Sequence, residues 1–341
     1  MVRYPTFSLT YEGKDITEDI KPYVLAIAYT DKLEGESDEL EITLENLDLR
    51  WMNAWYPKPG DRVTLRIGYL GEALIGSSFE VDEPEFTGAP DTLRLKGLAT
   101  PVTAALRQKN TTAYGNTTLR AIARRIADKH KLQLVGNVPE IRLERVTQKE
   151  ETDLEFLRKL SADYGLIFKV EGTEKLVFFK ESDLEAAAAA IALDRKDLAR
   201  YSLKRGTAGT YKSAEISYQD PKTGRFISAK VDAQGKEVAK AKEDAPAAGD
   251  VLKIRERCEN REQAIAKATE QLRRANKGQI EGNLDIEGNV RLNAGSNLTL
   301  TGFFGLNGKY QIEQVRHTLT RREGYKSSAE IKGIEVEGQR E

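Results

Sequence analysis

The sequence predicts an α+β chain made mainly of strands: two similar antiparallel β-barrel domains, a small α/β domain between them, and a helix-containing insertion in the second barrel. Three observations lead there. Short runs with period-two alternation, punctuated by Gly, Pro and Asp, fill both ends of the chain. The apolar spacing switches to that of helices in the middle. Segments of the first end recur, in order, at the second. With 341 residues, the chain has room for two or three domains of roughly 100–200 residues each.

The first domain is placed at 1–107. Glu39-Leu40-Glu41-Ile42-Thr43-Leu44-Glu45, Arg62-Val63-Thr64-Leu65-Arg66-Ile67, Phe79-Glu80-Val81 and Thr92-Leu93-Arg94-Leu95-Lys96 alternate as half-buried strands do. Turn clusters at Glu12 to Asp15, Tyr56 to Asp61 and Gly88 to Asp91 separate them. The second domain is placed at 108–180. There Leu119, Ile122, Ala123, Ile126 and Ala127 recur at helical spacing. A second helix starts at the capping box Thr152-Asp153-Leu154-Glu155, shows Leu157, Leu160 and Tyr164 on one face, and stops at Gly165. A hairpin turning at Gly172 follows. The third domain is placed at 181–341, with an insertion at 221–290. Within it Asp232 to Asp250 reads as a loop and 261–277 as a helix, capped by Asn260 with the stripe Ile265, Ala268 and Leu272. Pairing of strands near 199–218 with the first barrel is left open.

The internal repeat is the most informative feature. Residues 21–46 align on 195–220 at a constant offset of 174, ending with Glu41 to Asn46 opposite Glu215 to Asp220. Pro59 to Leu65 matches Ala294 to Leu300, Phe79 to Asp82 matches Tyr310 to Glu313, and Leu95 to Leu98 matches Ile331 to Ile334. The later offsets are 235, 231 and 236, so the second copy carries about 60 extra residues. These matches predict that Val63 and Leu298 occupy equivalent strands.

Composition excludes several functions. Lys+Arg 53 against Asp+Glu 54 leaves a net charge of -1, which argues against a dedicated nucleic-acid binder and against electrostatic membrane attachment. The longest apolar run, Ala186 to Leu193, is eight residues, where a membrane span needs roughly 20. The N-terminus shows no apolar signal segment, and the single cysteine, Cys258, suits a reducing compartment; a soluble, cytoplasmically made chain is expected.

Residues for catalysis are scarce. His130 and His317 are the two histidines; His130 sits at a helix end, where it complements the macrodipole. Cys258, read as lying in a strand, cannot form a zinc site of the usual spacing alone. Gly206 to Ser213 lacks the glycine a phosphate loop needs before its lysine, having Tyr211 there. Acidic residues are abundant, but most alternate with apolar ones on the solvated faces of strands. Gly115 to Ala123 resembles the opening of LysM modules, and a capped helix explains it equally. No catalytic, cofactor-binding or metal-ligating residue is expected, and interface residues stay unassigned.

Thr117 to Ala127 and, more specifically, Gln148-Lys149-Glu150-Glu151-Thr152-Asp153-Leu154-Glu155-Phe156-Leu157-Arg158-Lys159-Leu160-Ser161-Ala162-Asp163-Tyr164-Gly165 carry a family resemblance. The chain resembles the late control protein D family, the central baseplate hub of contractile phage tails and phage-derived bacteriocins. The second motif is also similar to the N-terminal hub part of type VI secretion spike proteins. Those continue into an OB-fold and a needle, for which a chain ending at Glu341 leaves no room, so a stand-alone hub is expected.

The resemblance implies a non-enzymatic homotrimer that adapts a sixfold tail tube to a threefold spike, since three chains with two similar modules present six quasi-equivalent surfaces. It implies as partners the spike protein, the tube or tube initiator, the tape-measure protein and the baseplate wedge, without specific nucleic-acid binding or membrane anchoring. The implied location is the tail baseplate of a virion or tailocin, assembled in the bacterial cytoplasm. The alternatives are a type VI-like spike hub, or a tail module that binds or degrades peptidoglycan.

Overall fold

A computed structural model of the chain describes residues 3–34, 37–72, 75–99, 108–171, 174–206, 211–219, 224–232, 235–238, 251–277 and 279–336. The expected turn at Gly172, part of the Gly206 to Ser213 loop, and 239–250 of the expected loop lie outside them.

The first β-module comprises β1 (Pro5–Tyr11), β2 (Lys14–Asp15), α1 (Thr17–Ile20), β3 (Val24–Lys32), β4 (Glu39–Glu45), β5 (Arg62–Tyr69), β6 (Ile75–Thr87) and β7 (Thr92–Leu98). The middle unit follows as β8 (Asn110–Thr118), α2 (Leu119–Lys129), β9 (Gln133–Gly136), β10 (Arg142–Glu151), α3 (Asp153–Ala162), β11 (Leu166–Glu171), β12 (Lys175–Lys180) and α4 (Glu181–Ala186). The second module opens with β13 (Ala189–Asp194) and β14 (Arg200–Arg205), and closes with β18 (Ile280–Glu287), β19 (Asn297–Thr301), β20 (Gly308–Thr320) and β21 (Gly324–Val336). Between β14 and β18 lie β15 (Ser213–Gln219), β16 (Phe226–Asp232), β17 (Val251–Arg255) and α5 (Arg261–Lys277).

Each unit buries its own core, as its alternation or helical stripe requires. One core gathers Leu40, Ile42, Leu44, Val63, Leu65, Phe79 and Leu93. A second joins the α2 and α3 stripes to Leu166, Phe168, Leu176 and Phe178. A third collects Leu284, Leu298, Leu300, Tyr310, Ile312 and Ile331. A fourth packs Ala264, Ala268 and Leu272 of α5 on Ala214, Ile216 and Val231.

The two β-modules, expected as separate barrels, instead share one sheet, antiparallel except where β13 runs parallel to β19. Its order is β14-β18-β21-β20-β3-β4-β7-β6-β5-β1-β2, with β13 and β19 branching from β20. The junction is β20 on β3, from Gln314 opposite Lys32 to Thr320 opposite Ala26. β20 is long enough to pair with β19 by its first half and with β3 by its second.

The duplication shows in backbone detail. Val63 faces Phe79 across β5 and β6, and Leu298 faces Tyr310 across β19 and β20; all four are at most 1% exposed. The turns before these strands repeat: Gly60 N donates to Val81 O at 2.7 Å and Gly295 N to Ile312 O at 2.8 Å. Both glycines have positive φ, 92° and 84°, a conformation that favours residues without Cβ.

Two sequence matches are corrected. By strand pairing Gly97 takes the place of Ile331, an offset of 234, so Leu95 to Leu98 correspond to Ala329 to Lys332 rather than to Ile331 to Ile334. β4 sits between β3 and β7, and the same place between β14 and β21 belongs to β18, not to 213–220. β15 pairs instead with β16 and β17 in a separate sheet, and β14 pairs with β18 rather than with the first module. The extra residues therefore enter directly after β14. Alternating strands resemble one another in sequence, and only their partners distinguish them.

Candidate functional site

The Gln148 to Gly165 motif resolves into packing chemistry. Asp153, 2% exposed, opens α3 under the capping box that Thr152 and Glu155 complete. Its Oδ2 accepts from Lys129 Nζ at 2.7 Å and lies 2.7 Å from His130 Nε2, while Oδ1 accepts from Gln148 Nε2 at 2.9 Å. Burial raises the Asp153 carboxyl, but the hydrogen bonds from Lys129, Gln148 and His130 outweigh it and hold it below the usual range. The Asp–His pair thus locks the end of α2 to the start of α3. Farther along, Gln263 Nε2 donates to the Tyr164 hydroxyl at 2.7 Å and Lys267 Nζ to Asp163 at 2.6 Å, so the motif's end docks α5.

A charged node that the sequence reading missed ties three units together. Lys169 of β11 donates to Asp31 Oδ1 at 2.7 Å and to Asp38 Oδ1 at 3.3 Å. Asp31 Oδ2 also accepts from Ala294 N in the second module, and Asp38 Oδ1 from Lys32 N. Burial, aided by Asp31, pushes Asp38 up to about 7 against the pull of Lys169. The node lines a 670 Å³ cavity together with Tyr29, Glu171 and Asn293. Its carboxylates accept from Lys169, from backbone amides and, at Asp38 Oδ2, from the Tyr29 hydroxyl, the arrangement of a structural tie. A sequence signal existed: Asp31 shares the inward parity of Ile27 and Tyr29.

α5 makes a second tie. Lys277 Nζ reaches Glu181 at 3.0 Å and Glu313 at 3.1 Å, Arg273 Nη1 reaches Glu185 at 2.6 Å, and Arg274 reaches Glu34 at 3.3 Å. The insertion is thereby fixed to α4, to β20 and to the first module.

His317 is buried. Its Nε2 donates to Leu292 O at 3.1 Å, leaving Nδ1 to accept from the Tyr325 and Ser327 hydroxyls at 2.8 and 3.0 Å. Burial pushes it down to about 4, which keeps the ring neutral. Cys258, between β17 and α5 rather than in a strand, is buried, and burial pushes its thiol up to about 11, the opposite of an activated nucleophile. Among the described residues no cluster of three His, Cys, Asp or Glu side chains suits a metal ion, and no helix is long and apolar enough to cross a membrane.

Contact chemistry lies at the surface instead. Leu47, Leu49, Met52, Trp55 and Tyr56 are all at least 42% exposed within one short segment, a density typical of a surface that a partner covers. β14 pairs with a single strand among those described, and its side chains are exposed except for half-buried Leu203.

The family model described as "Phage tail baseplate hub (GPD)" matches residues 59–323. The "Probable baseplate hub protein" of Escherichia phage 186 is 28% identical over 228 residues, which span 64% of this chain and 58% of that protein. A tail protein from Neisseria meningitidis MC58 superposes with a TM-score of 0.70 at 13% identity, covering 98% of both chains. An Escherichia coli component of the type VI secretion system superposes at 0.56 with 12% identity, covering 92% of this chain and 74% of that one. These two solved structures are similar in fold.

Proposed function

This chain belongs to the phage tail baseplate hub (GPD) family, and from that premise we propose that it is the structural hub of a contractile tail baseplate. In this reading the hub is a homotrimer that joins a sixfold tube to a threefold spike. The observation that carries it is the duplicated β-module, with Val63 on Phe79 repeated as Leu298 on Tyr310. Two like modules per chain turn threefold symmetry into six similar faces. Each module acts as one barrel-like unit of the ring, and the chain divides into 1–107, 108–180 and 181–341. The inserted helix and the middle unit, present once per chain, supply the threefold features.

No catalytic step is assigned. Asp31 and Asp38, which line one cavity, are held by Lys169, and His317 is sealed among Tyr325, Ser327 and Leu292. Spike, tube, tape-measure and wedge proteins are the proposed partners, and the tail baseplate of a virion or tailocin the proposed location. Sedimentation of the purified chain, alone and with the spike encoded beside it, tests this. A trimer in either sample supports the reading; a monomer in both, or a hexamer of this chain, overturns it.

A further inference from the structure

The internal duplication specifies how one copy meets the next. Within the chain, β3 of the first module lies antiparallel against the second half of β20, Lys32 opposite Gln314 and Ala26 opposite Thr320. Each of these strands has a duplicate. β6 duplicates β20, as the Phe79 and Tyr310 pairs show. Stepping outward by strand pairing from β6 to β7 to β4 to β3, and from β20 to β21 to β18 to β14, lays β3 on β14. The offset reached this way is 174, setting Tyr29 in the place of Leu203.

The duplicate strands have no such junction within the chain. β14 ends the sheet with β18 as its one partner among the described strands. β6 pairs with β5 only through Ile75 to Glu80, so beyond that point β7 is its one partner among them. An unpaired edge is a template for another strand.

We propose that β14 of one copy adds to the open edge of β6 in the next, antiparallel, reproducing the β3–β20 junction between chains. The inference rests on the ring reading above and deepens it. Carrying the register across sets Ser202 opposite Thr87, Leu203 opposite Phe86 and Lys204 opposite Glu85. These pairs are chemically matched. Leu203 and Phe86, both half-buried, take the places of Tyr29 and His317, whose rings stack at 6.1 Å. Lys204 and Glu85 take the places of Thr30 and Arg316, which are joined by a 3.2 Å hydrogen bond. β14 carries Arg200, Lys204 and Arg205 without an acid, and the approached part of β6 carries Glu83 and Glu85 without a base. Opposite charges directly across a strand pair stabilise it, and like charges oppose it. The contact is heterologous, one edge giving and the other receiving, and such contacts close rings.

The full-length chain carrying Ser202→Cys and Thr87→Cys tests the register. Facing antiparallel residues lie about 4.5–5.5 Å apart at Cα, within disulfide reach, and native Cys258 is buried. Mild oxidation should give covalent multimers on a non-reducing gel, ending at the ring, while Ser202→Cys with Glu85→Cys, out of register by two, should give little. Lys204→Glu should dissociate the oligomer, and Lys204→Glu with Glu85→Lys should restore it. An oligomer that forms without cross-linking, or that cross-links equally in both registers, overturns this contact and leaves the ring reading standing. A chain that stays monomeric throughout overturns both.

Discussion

Replacing Lys169 with methionine removes the one cation among the described residues that bonds Asp31 and Asp38, while keeping most of the side-chain volume. Side-chain exposures of 16% for Lys169, 7% for Asp31 and 2% for Asp38 place all three groups largely out of bulk solvent. Removing one partner of a buried pair typically costs about 3–5 kcal/mol, because the remaining charge is left uncompensated. That is a large share of the roughly 5–15 kcal/mol by which domains are stable.

The pH dependence identifies the cause. Asp38 stands at about 7 in the folded chain against an ordinary 3.8. The folded state therefore keeps a proton that the unfolded state releases, and this contribution to stability falls as pH rises from about 4 to 7. Without Lys169 the folded value climbs further, so the defect should be large at pH 8 and markedly smaller at pH 5, where protonation removes one charge. Trp51 and Trp55, both in the first module, report the transition in urea. A loss below about 1 kcal/mol, or one equal at pH 5 and pH 8, would refute the assignment of this node as a load-sharing ion cluster. Asp38→Asn in the Lys169→Met background should recover part of the loss at pH 8.

His317 works in the opposite direction over an overlapping window. Held near 4, below its ordinary 6.5, it makes stability rise with pH between those values, so it offsets Asp38. Denaturant titrations should be nearly flat there for the parent chain, falling with pH for His317→Gln and rising for Asp38→Asn; matching profiles in the two variants would contradict both assignments. Asp153→Ala removes the acceptor shared by Lys129, Gln148 and His130. It should lower the stability of the middle unit by about 2–3 kcal/mol, a charged hydrogen-bond network's worth, seen as faster amide exchange in α2 and α3.

Much of the fold was legible because its elements obey local rules. The capping box at Thr152 and the helix 261–277 stand where the sequence puts them. So does the Val63–Leu298 equivalence, since a glycine turn followed by inward alternation leaves one register that buries the right face. The charged node was not legible as a site. Asp31, Lys169 and Ala294 come from three units, and no local spacing announces that they meet; the inward position of Asp31 in β3 is the one local trace.

The failed match at 213–220 follows from the same limit. Glu215-Ile216-Ser217-Tyr218 alternates just as Glu41-Ile42-Thr43-Leu44 does, and alternation specifies a face, not a partner. In the first module β3 turns directly into β4; in the second, the chain leaves the sheet after β14, builds β15 to β17 and α5, and returns as β18. The insertion therefore breaks one hairpin and spares every pairing between duplicated strands. It also has to be held, because a unit hung from two strand ends is otherwise free to swing, and the Arg273, Arg274 and Lys277 face of α5 meets Glu34, Glu181, Glu185 and Glu313 to do so. The chain thus keeps two like strand frameworks while placing everything that differs on single-copy elements. The proposed hub, meeting sixfold neighbours through one set of surfaces and threefold neighbours through another, would require that separation.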